Sequence, residues 1–166
     1  MKVSENFDVR EFVPKSIYDK FGANSVWFVT KKQIEVAEFY KEFWTAYFKR
    51  KYPNEIQNVF IEINTYLYRQ GGTNYRGYRP CDYKEGATYS QHRLSNAFDC
   101  EIIIAFKSGK KIESDYNEVH KVIKENNALF LSKGITTVES VKIAKGWLHT
   151  DFRNIPNQTQ ILIVGA

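Results

Sequence analysis

The chain has 166 residues, 43% of them hydrophobic and 16% aromatic, with a formal net charge of +5 and a pI near 9.1. Those values exclude a disordered chain and suit one domain of ordinary size, able to bury about two thirds of its unfolded surface. The basic excess fits a solvated surface or attraction to an acidic polymer, but no RNA-binding signature or helix-turn-helix pattern accompanies it, so no nucleic-acid partner is expected.

Residues 1–6 are polar and predict no secretory leader. Residues 5–30 mix charge with Phe7, Phe12, Val13, Tyr18, Phe21, Trp27 and Phe28, and Pro14 and Gly22 bracket a short helix over 16–21. Residues 1–29 read as an N-terminal arm that packs or supports a lid, and 30–166 as the core of one domain spanning 1–166. Thr30 opens the clearest helix. Gln33, three residues on, completes a capping box. Apolar residues then recur at Ile34, Ala37, Phe39, Tyr40, Phe43, Trp44, Tyr47 and Phe48, close to helical spacing. Lys49, Arg50 and Lys51 suit the negative end of the helix dipole, and Pro53 stops the helix.

Residues 59–64 read as a buried strand. From 65 to 85 there is no apolar period, only glycines, five tyrosines and Arg69, Arg76 and Arg79. So long an irregular segment points to a working loop, and its guanidinium forks suit a carboxylate or phosphate. Residues 97–105 form a second strand, with Phe98, Cys100, Ile102 and Ile104 on one face. Residues 107–110 turn the chain, and 114–126 form an amphipathic helix. His120 on that helix reads as an ordinary surface or helix-end histidine. A third strand is expected over 136–144 and a last one over 160–164. The pattern predicts an α+β fold with a small, mainly antiparallel sheet and flanking helices. No run of about 18 apolar residues occurs, so no membrane span is predicted. Cys81 and Cys100 form no CxxC pair; one disulfide is open to them, and free thiols are the expectation.

Two of the three histidines stand in acidic surroundings. His92 is followed seven residues later by Asp99, and His149 stands two before Asp151. His92, Asp99 and His149 supply the three ligands that a catalytic zinc site keeps, with the fourth position open. Two histidines satisfied by hydrogen-bonded carboxylates would give the same local pattern.

Ser90-x-His92-x-x-x-x-Ala97-x-Asp99, followed by Trp147-x-His149, resembles the SxHxxGxAxD…WxH pattern of the D-Ala-D-Ala carboxypeptidase, or hedgehog-type, zinc peptidase family. Asn64-Thr65, Gly71-Gly72 and Arg76-Gly77-Tyr78-Arg79 resemble the strand end and Gly/Arg loop upstream of that motif, so the likeness spans about 10–152. It implies a hedgehog/DD-peptidase-like fold and a zinc peptidase that cuts peptidoglycan stem peptides next to a D-amino acid, as phage endolysins and wall-remodelling enzymes do. It implies His92, Asp99 and His149 as zinc ligands, Ser90 as a substrate contact, and Arg79 as the group that polarises the scissile carbonyl, with Arg76 its competitor.

Two positions depart from the pattern. Ser95 replaces the motif glycine, where a left-handed backbone would cost about 1 kcal/mol or more. Gly146 stands where many members carry a catalytic acid. His149-Thr150-Asp151 resembles an HxD ending, which makes Asp151 the expected proton acceptor or else a partner orienting a ligand, with Glu139 a weaker candidate base. A non-catalytic zinc-binding protein of the wall-binding or virion type is the alternative to the enzyme. With no leader predicted, synthesis in the cytoplasm and delivery to the wall by lysis, virion or other export are expected.

Overall fold

The helix opened by Thr30 forms as its pattern demands. In the computed structural model, which describes residues 1–84, 87 and 89–165, helix α2 spans Lys31–Lys51, after a short α1 at Lys15–Phe21. Glu85, the last residue of the expected loop, lies outside the described residues. Thr30 Oγ1 accepts from Gln33 N at 3.2 Å, and Gln33 Oε1 accepts from Thr30 N at 3.0 Å. Val36, Ala37, Tyr40, Trp44 and Phe48 are buried, with Ile34, Phe39, Phe43 and Tyr47 half-buried along their flanks.

That helix covers one face of a six-stranded sheet. Its strands are β1 (Ile56–Glu62), β2 (Ala97–Phe106), β3 (Lys111–Glu113), β4 (Thr137–Glu139), β5 (Leu148–Asp151) and β6 (Leu162–Val164), in the order β1-β2-β5-β4-β6 with β3 on β2. All pairs are antiparallel except β4–β6. The α+β class and the mainly antiparallel sheet with flanking helices are therefore present. Helices α3 (Tyr116–Glu125) and α4 (Asn127–Ser132) complete the fold, and Phe130 of α4 lies edge-on to Phe39 and Phe43 of α2.

Side chains alternate across a strand, and here the alternation separates two chemistries. Phe98, Cys100, Ile102, Ile104, Leu148 and Val138 join the core beneath the helices. Asp99, Glu101, His149, Asp151 and Glu139 have the opposite parity, so the second face is acidic. The register pairs Asp99 with His149 and Ala97 with Asp151. That pairing brings two residues fifty positions apart onto one spot.

Several expectations change. The strand predicted over 136–144 stops at Glu139; Ser140 O then accepts from Ile143 N and Ala144 N, and the turn leaves Ile143 exposed. The short strand β3 was not anticipated. Within residues 1–29, Phe7 and Phe12 pack into the same core as the sheet. His120 is buried on α3, against the expectation of a surface group. Its Nε2 has no hydrogen-bond partner among the described residues, and burial together with Lys124 lowers its pKa. Both thiols are free: Cys81 is exposed and Cys100 is buried, where burial raises its pKa. No helix among the described residues is long and apolar enough to cross a membrane.

Candidate metal centre

The first ligand comes from a 3₁₀ turn, Gln91–Leu94, that delivers His92 to the acidic face. The turn ends at Ser95, whose φ of 55° and ψ of 29° are left-handed. The glycine-like backbone expected at this position is therefore built with serine. Its hydroxyl donates to Phe28 O at 2.7 Å, and its carbonyl accepts from Thr30 Oγ1 at 2.9 Å. Those bonds offset the backbone cost and tie the motif turn to the start of α2. Ser95→Ala keeps the left-handed cost and loses the hydroxyl bond, so it is expected to destabilise by about 1–3 kcal/mol. Ser95→Gly loses the bond but relieves the backbone, and is expected to lie closer to the parent in urea unfolding. Equal midpoints for the two variants would deny the hydroxyl this role.

His92 Nδ1 lies 2.8 Å from Gly77 O. A carbonyl can only accept, so Nδ1 carries a hydrogen and donates to it, and Nε2 faces Asp99 and His149. Asp99 Oδ1 lies 3.4 Å from His92 Nε2 and 2.7 Å from His149 Nδ1. The two ring nitrogens are 3.3 Å apart. Edges of about 3.3 Å are what a tetrahedral ion with bonds of about 2.0–2.1 Å requires. All three residues are buried, and their ligand atoms lie within 4.8 Å of one another. This group could hold a metal ion.

The surroundings orient each ligand, as metal sites need. Asp99 Oδ2 accepts from Arg79 Nη2 at 2.9 Å, which leaves Oδ1 for the centre. Arg79 Nε donates to Tyr75 O at 2.7 Å. Burial alone would raise the Asp99 carboxyl, but the two histidines outweigh it and hold the group well below the usual carboxylate range. For His149 burial alone would lower the pKa; hydrogen bonds to Asp151 and Asp99 push it up to about 9.

Asp151 lies against the outer nitrogen of His149. It is fully buried, and its Oδ2 lies 3.6 Å from His149 Nε2, the nitrogen that faces away from the centre. Arg153 Nε donates to its two oxygens at 2.9 and 3.0 Å. Burial would raise this carboxyl; His149 and Arg153 more than reverse that and hold it low. Asp151 therefore sits where it can orient His149, the second of its two expected roles. The spacing His149-x-Asp151-x-Arg153, all on one face, was the sequence signal for this chain of contacts.

The Arg79 side chain touches a candidate ligand, whereas Arg76 reaches Asp99 through its backbone carbonyl, which accepts from Asp99 N at 2.7 Å. Arg76 Nη1 donates to Glu101 Oε1 at 2.6 Å, and its guanidinium lies 5.8 Å from the centre of the Trp147 ring. Ser90 is half-buried at the start of the 3₁₀ turn and its side chain makes no capping bond. Gly146 borders a groove with Glu113, Ser114, Tyr116 and Asn117, which contains none of the ligands. Asn64 escaped notice as a hub: Oδ1 accepts from Arg76 N at 2.9 Å and Nδ2 donates to Val13 O at 3.0 Å. Its place beside the upstream motif was the available clue. Comparison of the chain with protein-family models, with curated proteins and with solved structures gives no match.

Proposed function

We propose that this protein is a zinc-dependent peptidase acting on peptidoglycan stem peptides at a bond next to a D-amino acid. The observation that carries the reading is the convergence of His92 Nε2, Asp99 Oδ1 and His149 Nδ1, the three positions of the SxHxxxxAxD…WxH motif. Two imidazoles and one carboxylate at tetrahedral spacing suit zinc, and three protein ligands leave a position open for chemistry. An α+β fold with a mainly antiparallel sheet also agrees with the resemblance.

Bound zinc would supply Lewis acidity and a nucleophile available near neutral pH. The chain's own groups then set geometry. Gly77 O and Asp151 fix the faces of the two imidazoles, and Arg79 fixes which Asp99 oxygen faces inward. Arg79 also brings a positive charge to the border of the site, where it would favour a carbonyl oxygen gaining negative charge. Ser90 and Arg76 remain candidate substrate contacts on the same rim. The substrate is a wall polymer, so the protein would act there after lysis, virion delivery or other export.

A second reading, a zinc-holding wall-binding component without turnover, is favoured by the glycine at 146 and by the burial of Asp151. Purified zinc-loaded protein is expected to release free amines from purified peptidoglycan, and a chelator is expected to stop the release. Bound zinc with no amine release would favour the second reading. A protein that binds no zinc would sink both.

A further inference from the structure

The acidic face of the sheet is neutralised almost residue by residue. Glu62 pairs with Arg69, Glu101 with Arg76 and Arg69, Asp99 with Arg79, and Asp151 with Arg153. Glu139 breaks the pattern. It is half-buried at the end of β4, and it makes no hydrogen bond or ion pair among the described residues.

Its position is equally specific. The β4–β5 ladder pairs Thr137 with Asp151 and Val138 with Thr150. Glu139 follows the last of these pairs, on the strand beside the one that carries His149 and at the parity of Thr137 and Asp151. Residues opposite one another in an antiparallel pair share a face, with Cβ atoms about 4.5–5.5 Å apart. The negative charge of Glu139 helps to raise the pKa of His149 and of Arg153, and its carboxylate is not one of the ligand group. Such a carboxylate is next to the ligands without being one. The other acids here are held by arginines, and Asp151 is behind the ring.

We propose that Glu139, supplied by the strand next to the one that carries His149, is the general base of the hydrolysis. The inference rests on the peptidase reading above. Glu139 takes a proton from the attacking water as the water oxygen bonds to the peptide carbonyl carbon. The C–N bond then breaks, and Glu139 returns that proton to the leaving amine nitrogen. Water and the peptide are the only reactants, and nothing is oxidised or reduced. An acid at position 146 is then unnecessary, because the proton acceptor comes from across the ladder.

The test compares zinc-loaded parent, Glu139→Gln and Glu139→Asp. Amine release from peptidoglycan is followed for turnover, and calorimetry measures zinc affinity and the binding of a synthetic stem pentapeptide. Loss of a general base is worth about 10²–10⁴ in rate. Glu139→Gln is therefore expected to lose about 100-fold or more in kcat. Its zinc stoichiometry, zinc Kd and pentapeptide Kd are expected to stay within about threefold of the parent, and Glu139→Asp to recover part of the rate. Retention of more than about a third of the parent kcat by Glu139→Gln would overturn the assignment while leaving the peptidase reading intact. A tenfold weaker zinc Kd would overturn it differently, by making Glu139 a ligand. A parent that binds zinc and releases no amines overturns the peptidase reading, and the assignment with it.

Discussion

Zinc titration of the metal-free protein is expected to end at one ion per chain, and His149→Ala or Asp99→Asn to abolish that binding. The candidate ligand atoms converge: His92 Nε2 and His149 Nδ1 are 3.3 Å apart, and Asp99 Oδ1 lies 3.4 Å from the first and 2.7 Å from the second. Little reorganisation is left for binding to overcome. Binding to the folded state alone also stabilises it, by about 2.7 kcal/mol at a free zinc concentration 100 times Kd. A thermal shift with zinc in the parent, absent in His149→Ala, would record the same event.

The pH dependence has a definite sign. In the metal-free chain His149 is raised from 6.5 to about 9, because Asp99 and Asp151 hold its imidazolium against the effect of burial. Its contribution to metal-free stability is therefore fully present below about pH 6.5 and is lost as pH rises through about 9. Zinc needs the Nδ1 lone pair, so the ion must displace this proton. Apparent zinc affinity is expected to rise about tenfold per pH unit between pH 6.5 and 9 and to level off above. Calorimetry in two buffers of different ionisation enthalpy would count the proton released. A Kd that stays constant from pH 6.5 to 8.5 would contradict the bridging proton.

Gly77→Ala is expected to damage stability and metal binding together. A Cβ at this residue would stand 2.1 Å from Phe12 O and 2.6 Å from Phe12 C. Both are backbone atoms, so no side-chain rotation relieves the clash. The same strand of contacts includes Tyr78 N donating to Phe12 O at 2.6 Å and Gly77 O accepting from His92 Nδ1 at 2.8 Å. Moving residue 77 away from Phe12 therefore moves the group that orients His92. Overpacking of this kind costs about 1–3 kcal/mol and sometimes more. Loss of an orienting partner costs about 10–100-fold in metal affinity. Gly146→Ala is the matched control, since a Cβ there meets nothing within 4 Å. Urea unfolding of the metal-free variants and zinc calorimetry separate the two effects. Unchanged zinc affinity in a destabilised Gly77→Ala would show that the arm supports the fold but not the centre.

How much of this was legible in the sequence depends on whether the information was local. Helix α2 was readable in detail, because its cap, its apolar period and its basic end all lie within a single stretch, Thr30 to Pro53. The ligand set was readable because motif spacing is a property of the chain itself. Ser95 was marked as a position needing a left-handed backbone, and it has one. The strand expected over 136–144 failed because Val138, Val141 and Ile143 alternate loosely, while pairing with β5 ends at Val138 and pairing with β6 at Glu139. Periodicity reports which face is apolar and says nothing about where a partner strand stops.

What the sequence alone determined was the type of fold, the identity of three side chains able to hold a metal, and the absence of an acid three residues before His149. Only the tertiary structure decided which carboxylate faces which side of the site. Asp151 and His149 are on one face by strand alternation, yet His149 presents Nδ1 to the centre and Nε2 to Asp151, a choice made by Asp99 across the ladder. Arg153 stands two residues from Asp151, but the arginine partners of Asp99 and Glu101 come from the loop before β2, at separations no local pattern encodes. Glu139, the weaker candidate base of the sequence, gains its place only once those pairs are drawn, because being unpaired among the described residues is a property of the whole face and not of one residue's neighbours in the chain.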